Sequence, residues 1–292
     1  MTTAPKVSVL LPTHNRPEVL EPAIRSALAQ TLEDFELLVV GDGCTDGTAE
    51  LVRGFDDPRI RWFDLPKAAG FGYANRNVAL REARGALIAF LGHDNLLFPD
   101  HLQQLSRPFK DAETMFAYSR PLWIRDDGAI LPVFVNLKVP KWRNHFLRVA
   151  NILPATCVVH RRAALDEVGY WPETIERAGD WDLWKRIVSH YPDRALRVIR
   201  SPTCLHFRAD WRTDARWAPP PVLQLSLIEQ TAGYWPEALR LRLDLAGIPP
   251  QAQVWDRMSA APDKFVRDIR GALPLLQDHL AWAASAPSSL GR

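Results

Sequence analysis

Three short polar clusters interrupt apolar runs early in the chain: Pro12-Thr13-His14-Asn15-Arg16, Gly41-Asp42-Gly43-Cys44-Thr45-Asp46-Gly47-Thr48 and Gly92-His93-Asp94-Asn95. Each holds groups suited to phosphates and sugars. An acid directly after a buried strand, as Asp42 stands, can accept from a base imide N–H or a ribose hydroxyl. Its other reading, shared with Asp46, is a turn that caps the next helix; for Asp46 the cap is preferred. Asp94 can hold a hard divalent cation on oxygen, and such a cation can bridge a diphosphate. His93 adds a nitrogen donor that suits Mn²⁺ better than Ca²⁺; alternatively it belongs to a polar turn. GDGCTDGT is not the dinucleotide fingerprint, because Thr45-Asp46 intervene before Gly47.

These clusters follow segments that read as strands. Val7 to Leu11 is a near-continuous apolar run ended by Pro12, Phe35 to Val40 and Ala86 to Leu91 are further apolar runs, and Ile60 to Leu65 reads as a third strand. Leu20, Ile24, Ala27 and Leu28 recur at helical spacing between the first two, with Pro17 suited to a first turn and Asn15 with Glu18 to a capping box. Strands alternating with helices of this length predict βαβ units, a mostly parallel sheet, and ligands beyond the carboxyl ends of its strands. The clusters therefore predict one nucleotide-sized pocket containing acidic groups.

Past Asp100 the pattern changes. Trp123 to Leu131 reads as a hairpin turning at Asp127-Gly128, Ala155 to His160 as a strand, and a helix opens near Asp180. The triplet Pro219-Pro220-Pro221 marks a boundary, after which Leu223, Leu227 and Ile228, then Leu239, Leu243 and Leu245, read as helices.

Composition narrows the class. The chain has 292 residues, 47% hydrophobic and 24% charged, which is ordinary for a folded protein. Its 36 Lys and Arg against 34 Asp and Glu leave a net charge of +2, which argues against a nucleic-acid binder. No apolar run approaches the length of a membrane span, and the first residues do not read as a signal peptide. Cys44, Cys157 and Cys204 show no C-x-x-C spacing, so a reducing cytoplasm is expected. Eleven Trp suggest a generous core or aromatic walls around a ligand.

The stretches VSVLLPTHNRPEVLEPAIRSALAQT, FELLVVGDGCTDGT and ANRNVALREARGALIAFLGHDNLLFPDHL resemble, in order and spacing, a family-two glycosyltransferase of the GT-A fold. HDNLLFPDHL is similar to the spore-coat polysaccharide type. The resemblance is specific from residue 5 to about 105, weaker to about 208, and absent beyond. It implies a mixed α/β architecture, a mostly parallel sheet flanked by helices. It also implies a nucleotide-diphospho-sugar donor, a UDP-sugar preferred, and inversion at the transferred carbon. By this likeness Pro12, Thr13, Asn15 and Arg16 line the nucleotide, Asp42 reads the base, and Arg76 and Asn77 face the nucleotide or diphosphate. Asp94 matches the retained metal acid. Two acids usual in the family are replaced, by Gly41 and His93, and the second departure makes dependence on Mn²⁺ or Mg²⁺ an open question. Asp180 matches the base that deprotonates the acceptor hydroxyl, or is only a helix cap; Asp182 is the reserve. His206 stands where some relatives supply a further metal or diphosphate contact, and a core histidine is the equal alternative. Arg208, Arg212 and Arg216, interleaved with Trp211 and Trp217, could close over the diphosphate or form a solvated loop. Trp171, Trp181 and Trp184 flank the base candidate, with Trp181 an acceptor contact and Trp184 the one expected in the core.

This divides the chain into a catalytic domain at 1–218 and a helical C-terminal extension at 219–292. The domain has a nucleotide-binding half at 1–105 and an acceptor-binding half at 106–218. The extension would dock on the domain, mediate a homodimer, or touch a membrane surface; the resemblance implies a cytoplasmic place, peripheral at the inner face of a membrane. Expected partners are the nucleotide sugar and a glycan, lipid-linked or small-molecule acceptor, without nucleic acid, in polysaccharide or glycan assembly. Two other classes remain: a sugar-phosphate nucleotidyltransferase, disfavoured because Thr13 to Arg16 contains no glycine for a triphosphate loop, and a non-catalytic nucleotide-sugar binding protein.

Overall fold

A computed structural model describes residues 4–207, 220–231, 234–244 and 247–285. The first part alternates strand and helix: β1 (Val7–Thr13), α1 (Pro17–Leu28), β2 (Phe35–Asp42), α2 (Thr48–Arg53), β3 (Ile60–Leu65), α3 (Tyr73–Arg81) and β4 (Leu87–Phe90). There follow β5 (Leu96–Leu97), α4 (His101–Ser106), β6 (Phe116–Ser119), β7 (Leu122–Ile124), β8 (Ile130–Pro132), α5 (Pro140–Arg148), β9 (Val158–Arg161), α6 (Ala164–Val168), α7 (Gly179–His190), β10 (Leu196–Ile199) and β11 (Cys204–Phe207). Helices α8 (Pro220–Thr231), α9 (Pro250–Ala260) and α10 (Pro262–Ser285) form the C-terminal part.

The main sheet has the order β10-β6-β9-β4-β1-β2-β3. Only β9 runs antiparallel to its neighbours, so the sheet is mixed and mostly parallel, as expected. The apolar runs are strands because both faces are covered. Leu10, Leu38 and Val40 face one layer with Trp184 of α7, while Val9, Leu11, Leu37 and Val39 face the other with Leu20 and Ile24 of α1. Strands β4, β1 and β2 are neighbours, so the three polar clusters leave the sheet side by side along one edge. A smaller sheet, β5-β11-β7-β8, lies beyond.

The hairpin turns at Asp127-Gly128 as expected, with Gly128 at φ 84° and Asp127 Oδ1 accepting from the Ala129 N–H. Two boundaries differ from the sequence reading. Ala155–Cys157 is a 3₁₀ turn, and the strand begins at Val158. The segment carrying Leu239 and Leu243 is not a helix. After one 3₁₀ turn at Glu237–Leu239, Arg240 bridges to Ala129 and the Leu241 N–H donates to the Gly128 carbonyl at 2.8 Å. Pairing with the hairpin overrides helix propensity there. Leu245 and Pro219 lie outside the described residues.

The C-terminal part docks on the rest. Val254, Met258, Ile269 and Leu276 join the same core cluster as Leu10 and Trp184. Arg270 grips Asp100 through two nitrogens at 2.7 and 2.9 Å and also donates to the Pro202 carbonyl. Buried Glu229 of α8 pairs with Arg125 and Arg240. Among the described residues no helix is long and apolar enough to cross a membrane.

Candidate active site

The carboxyl edge of β4, β1 and β2 is built by loops that hold one another. Asn15 sits in the left-handed region at φ 50°. Its side chain accepts from the Thr45 N–H at 2.8 Å and donates to Thr45 Oγ1 at 3.1 Å, which clamps the β1 loop to the β2 loop. The capping box therefore does not form: α1 begins after Arg16 with Pro17 in its first turn, and Asn15 is engaged elsewhere. Asp46 does serve the start of α2, accepting from the Thr48 N–H at 3.0 Å. Thr13 is buried at the end of β1, its Oγ1 without a hydrogen-bond partner.

Asp42 is 7% exposed, and its two oxygens accept three hydrogen bonds. Its Oδ1 accepts from the Ala68 N–H at 2.8 Å and from Asn75 Nδ2 at 2.7 Å, and its Oδ2 meets Lys67 Nζ at 2.6 Å. Gly72, at φ 71°, lies so close that a Cβ would fall 2.6 Å from Asp42 Oδ2. The neighbouring Gly41 is explained by β3: a Cβ there would stand 2.2 Å from the Trp62 ring. The indole fills the space that an acid at position 41 would need.

Arg76, on α3, points across the edge. Its guanidinium lies over the Tyr73 ring at 4.8 Å and the Trp171 ring at 5.8 Å, and its Nη1 is 3.3 Å from Asp180 Oδ1. The Tyr73 hydroxyl accepts from the Gly179 N–H at 2.9 Å, which fixes the start of α7 and with it Asp180 in the first turn. The residue before, Ala178, is left-handed at φ 61°. Asn77 is placed differently from the sequence expectation. It is 1% exposed, donates to the Trp171 carbonyl at 2.8 Å and accepts from the Trp171 N–H at 3.2 Å. It therefore braces the acceptor half and has no face toward the edge. Asn75 takes the position facing Asp42 that the motif could not single out.

After β4, His93 lies among Pro12, Arg16, Arg76 and Asp94. Burial holds its imidazole below the ordinary pKa; the Asp94 carboxylate works the other way, and Arg16 and Arg76 reinforce burial. A neutral imidazole has a free lone pair for a metal or a proton. Asn95 ties this loop to its surroundings, donating to Thr156 Oγ1 at 2.9 Å and accepting from the Phe207 N–H at 3.0 Å. That bond ties the end of β11 to the loop that carries Asp94. His206, one residue earlier, stacks edge-on against Trp123 at 4.3 Å. No three His, Cys, Asp or Glu gather into a metal cluster among the described residues. Asp94 with the neighbouring His93 imidazole offers oxygen and nitrogen donors of the kind that could hold Mg²⁺ or Mn²⁺.

The remaining candidates divide. Asp182 pairs with Arg186 at 2.9 Å, one turn along α7, and Arg186 also binds the Gly169 and Tyr170 carbonyls. Its carboxylate is thus committed to the α6–α7 junction. Trp181 donates its indole N–H to the Phe146 carbonyl at 2.6 Å, and Lys185 lies over its ring. Trp184 is core as expected, and Trp171 is buried beside it. Arg208, Arg212 and Arg216, with Trp211 and Trp217, lie outside the described residues. Sequence reasoning missed Lys67, Tyr73 and Asn75. The first sits in an irregular loop, and the other two are ordinary helix residues until the fold brings Asp42 and Gly179 to them.

Comparison with known proteins places the chain in a family and its fold among solved structures. Residues 8–169 match the family model described as glycosyl transferase family 2. An uncharacterized glycosyltransferase of Rickettsia bellii is 31% identical over 186 residues, covering 63% of this chain and 26% of the relative, so this chain spans about a quarter of that protein's length. Among solved structures, Staphylococcus aureus TarS 1–349 in complex with UDP-GlcNAc superposes with a TM-score of 0.59 at 19% identity, covering 90% of this chain and 74% of that one. The Mycobacterium tuberculosis glucosyl-3-phosphoglycerate synthase, solved with Mn²⁺, UDP and glucosyl-3-phosphoglycerate, superposes at 0.52 with 17% identity, covering 78% and 80%. The structural likenesses show a shared fold.

Proposed function

Since this chain belongs to glycosyl transferase family 2, we propose that it moves a sugar from a uridine diphosphate sugar to an acceptor hydroxyl, with inversion at the anomeric carbon. The observation that carries the reading is the meeting of Arg76 and Asp180 on the strand edge that also holds Asp42 and Asp94. A cation-binding acid, a guanidinium for a diphosphate and a carboxylate placed at a helix start are the groups such a transfer needs.

Asp42, held rigid by Lys67, Asn75 and the Ala68 N–H, presents its edge to the uracil or ribose. Arg16 and Arg76 supply positive charge to the diphosphate, and Arg76 is oriented for this by the Tyr73 and Trp171 rings beneath it. A diphosphate competes with Asp180 for Arg76, so donor binding loosens their ion pair and leaves the Asp180 carboxylate to take the acceptor's proton. The acceptor oxygen then attacks from the face opposite the leaving group, and the diphosphate departs with the glycosidic electron pair. A divalent cation on Asp94, with His93 or His206 as second donor, would neutralise charge on the leaving diphosphate. Support for UDP and Mn²⁺ comes from the ligands of the S. aureus and M. tuberculosis neighbours. Assembly of a glycan or polysaccharide on the cytoplasmic side of a membrane is the setting that fits this chemistry.

Calorimetric titration with UDP, with and without Mn²⁺, on wild type and Asp94→Ala tests the donor site. Binding that requires Mn²⁺ and is lost in Asp94→Ala is the expected result. Turnover of a UDP-sugar to a product of inverted anomeric configuration by NMR tests the reaction; retention would sink the Asp180 assignment. Donor binding without any turnover dependent on Asp180 would return the chain to the class of nucleotide-sugar binding proteins.

A further inference from the structure

The acceptor half of the sheet edge carries a second concentration of positive charge. Strands β6 and β10 run parallel in register, Ser119 opposite Ile199, and the residues that follow them are Arg120 and Arg200. Both strands point the same way as β4, because β9 lies antiparallel between β4 and β6. The two arginines therefore emerge on the same edge as Asp94. At about 4.8 Å per strand, they stand roughly 10 and 15 Å along the edge from the end of β4.

Among the described residues neither arginine meets an acid. The chain pairs Arg125, Arg143, Arg186, Arg197 and Arg270 with carboxylates, but no carboxylate lies within ion-pair distance of Arg120 or Arg200 among the described residues. Arg120 is half-buried, its guanidinium over the Phe134 ring at 5.2 Å, and its buried Nε has no hydrogen-bond partner. Burial, and next the like charge of Arg200, lower its pKa from the ordinary guanidinium range. An unsatisfied, half-buried donor beside a like charge is unfavourable for the folded protein alone. Aromatic packing holds the fork in one orientation, which suits two-point recognition of an oxyanion. By strand alternation Arg120 shares the face of Phe116 and Tyr118, which is the face covered by Trp184 of α7 and hence the side on which Asp180 stands.

We infer that Arg120 and Arg200 form an anion subsite for the acceptor, and that the acceptor carries a phosphate or carboxylate besides the hydroxyl that is glycosylated. This rests on the reading of the chain as a glycosyltransferase. It selects an anionic acceptor over a neutral one.

The test uses the full chain with its donor site filled by UDP and Mn²⁺. Glycerol 3-phosphate and glucuronic acid are titrated by calorimetry, with glycerol and glucose as their uncharged counterparts. A charged probe is expected to bind and its counterpart not; the stronger of the two probes identifies phosphate or carboxylate. Arg120→Gln and Arg200→Gln should each weaken binding at least tenfold, with UDP affinity unchanged. Arg200 is exposed, so its loss acts without a folding defect, and Arg120→Lys should keep part of the affinity. Equal binding of charged and uncharged probes, absence of binding at millimolar concentration, or anion binding that survives both substitutions overturns the subsite. Should UDP itself fail to bind, the same titration without it separates the two ideas. Anion binding lost on substitution then keeps the subsite while the donor reading falls.

Discussion

Arg76 Nη1 stands 3.3 Å from Asp180 Oδ1, joining two residues 104 positions apart in the chain. The pair connects the half of the sheet that holds the nucleotide clusters with the helix that holds the base candidate. Asp180→Asn keeps the shape of the side chain and removes its basicity. Transfer should fall by about 10²- to 10⁴-fold while UDP affinity holds. Arg76→Gln should instead weaken UDP binding as well as turnover. Initial rates with calorimetry separate these outcomes; equal loss of UDP binding in both variants would place Asp180 in the donor site.

Gly41→Asp restores an acid usual in the family at a position where Trp62 leaves no room for a Cβ. Overpacking should cost about 1–3 kcal/mol in a urea melt. Trp62→Ala in the same chain should recover part of that loss, because the two residues compete for one volume. Additive effects would show that the indole is not what excludes the acid.

Arg270→Ala removes both bonds to Asp100 and both bonds to the Pro202 carbonyl. The expected loss is about 1–3 kcal/mol, with faster limited proteolysis of the C-terminal helices and unchanged UDP affinity. Asp100 gives this latch a pH dependence. Burial opposes its ionisation, but hydrogen bonds from Arg270 and Gln104 outweigh it and hold the pKa below the ordinary carboxylate value. Its contribution is present above the unfolded pKa and fades as pH falls through the lowered folded value.

His101 and His160 are buried, and burial lowers each imidazole pKa to about 4, against the raising effect of hydrogen bonds to Thr203 and Arg161. The unfolded chain takes up these protons near pH 6.5, the folded chain only near 4. Stability should therefore fall as pH drops from about 6.5, by roughly 1.4 kcal/mol per unit for each histidine. Urea melts between pH 6.5 and 5 measure the slope. His160→Phe, which keeps a ring beside Phe90 and Trp184, should remove one histidine's share of it; an unchanged slope would assign the effect to other groups.

The sequence by itself determined the strands β1 to β4, the edge they share and the acids at their ends. These are local properties: β1, β2 and β4 are buried on both faces and mostly apolar, Ser8 and Glu36 apart, and Asp42 and Asp94 come where the apolar runs stop. It did not determine which asparagine of α3 faces Asp42. Asn75 and Asn77 are two residues apart on a helix and so point to nearly opposite sides. Only the docking of α3 between β2 and Trp171 decided that Asn75 holds Asp42 and that Asn77 braces the acceptor half. The replacement of an acid by Gly41 looked like a loss in the chain; the structure shows it as room for Trp62. The proximity of Arg76 to Asp180 and the adjacency of Arg120 and Arg200 likewise came from strand order and helix docking. Periodicity along the chain fixes which face a residue occupies, but distances between faces are set by how the elements pack.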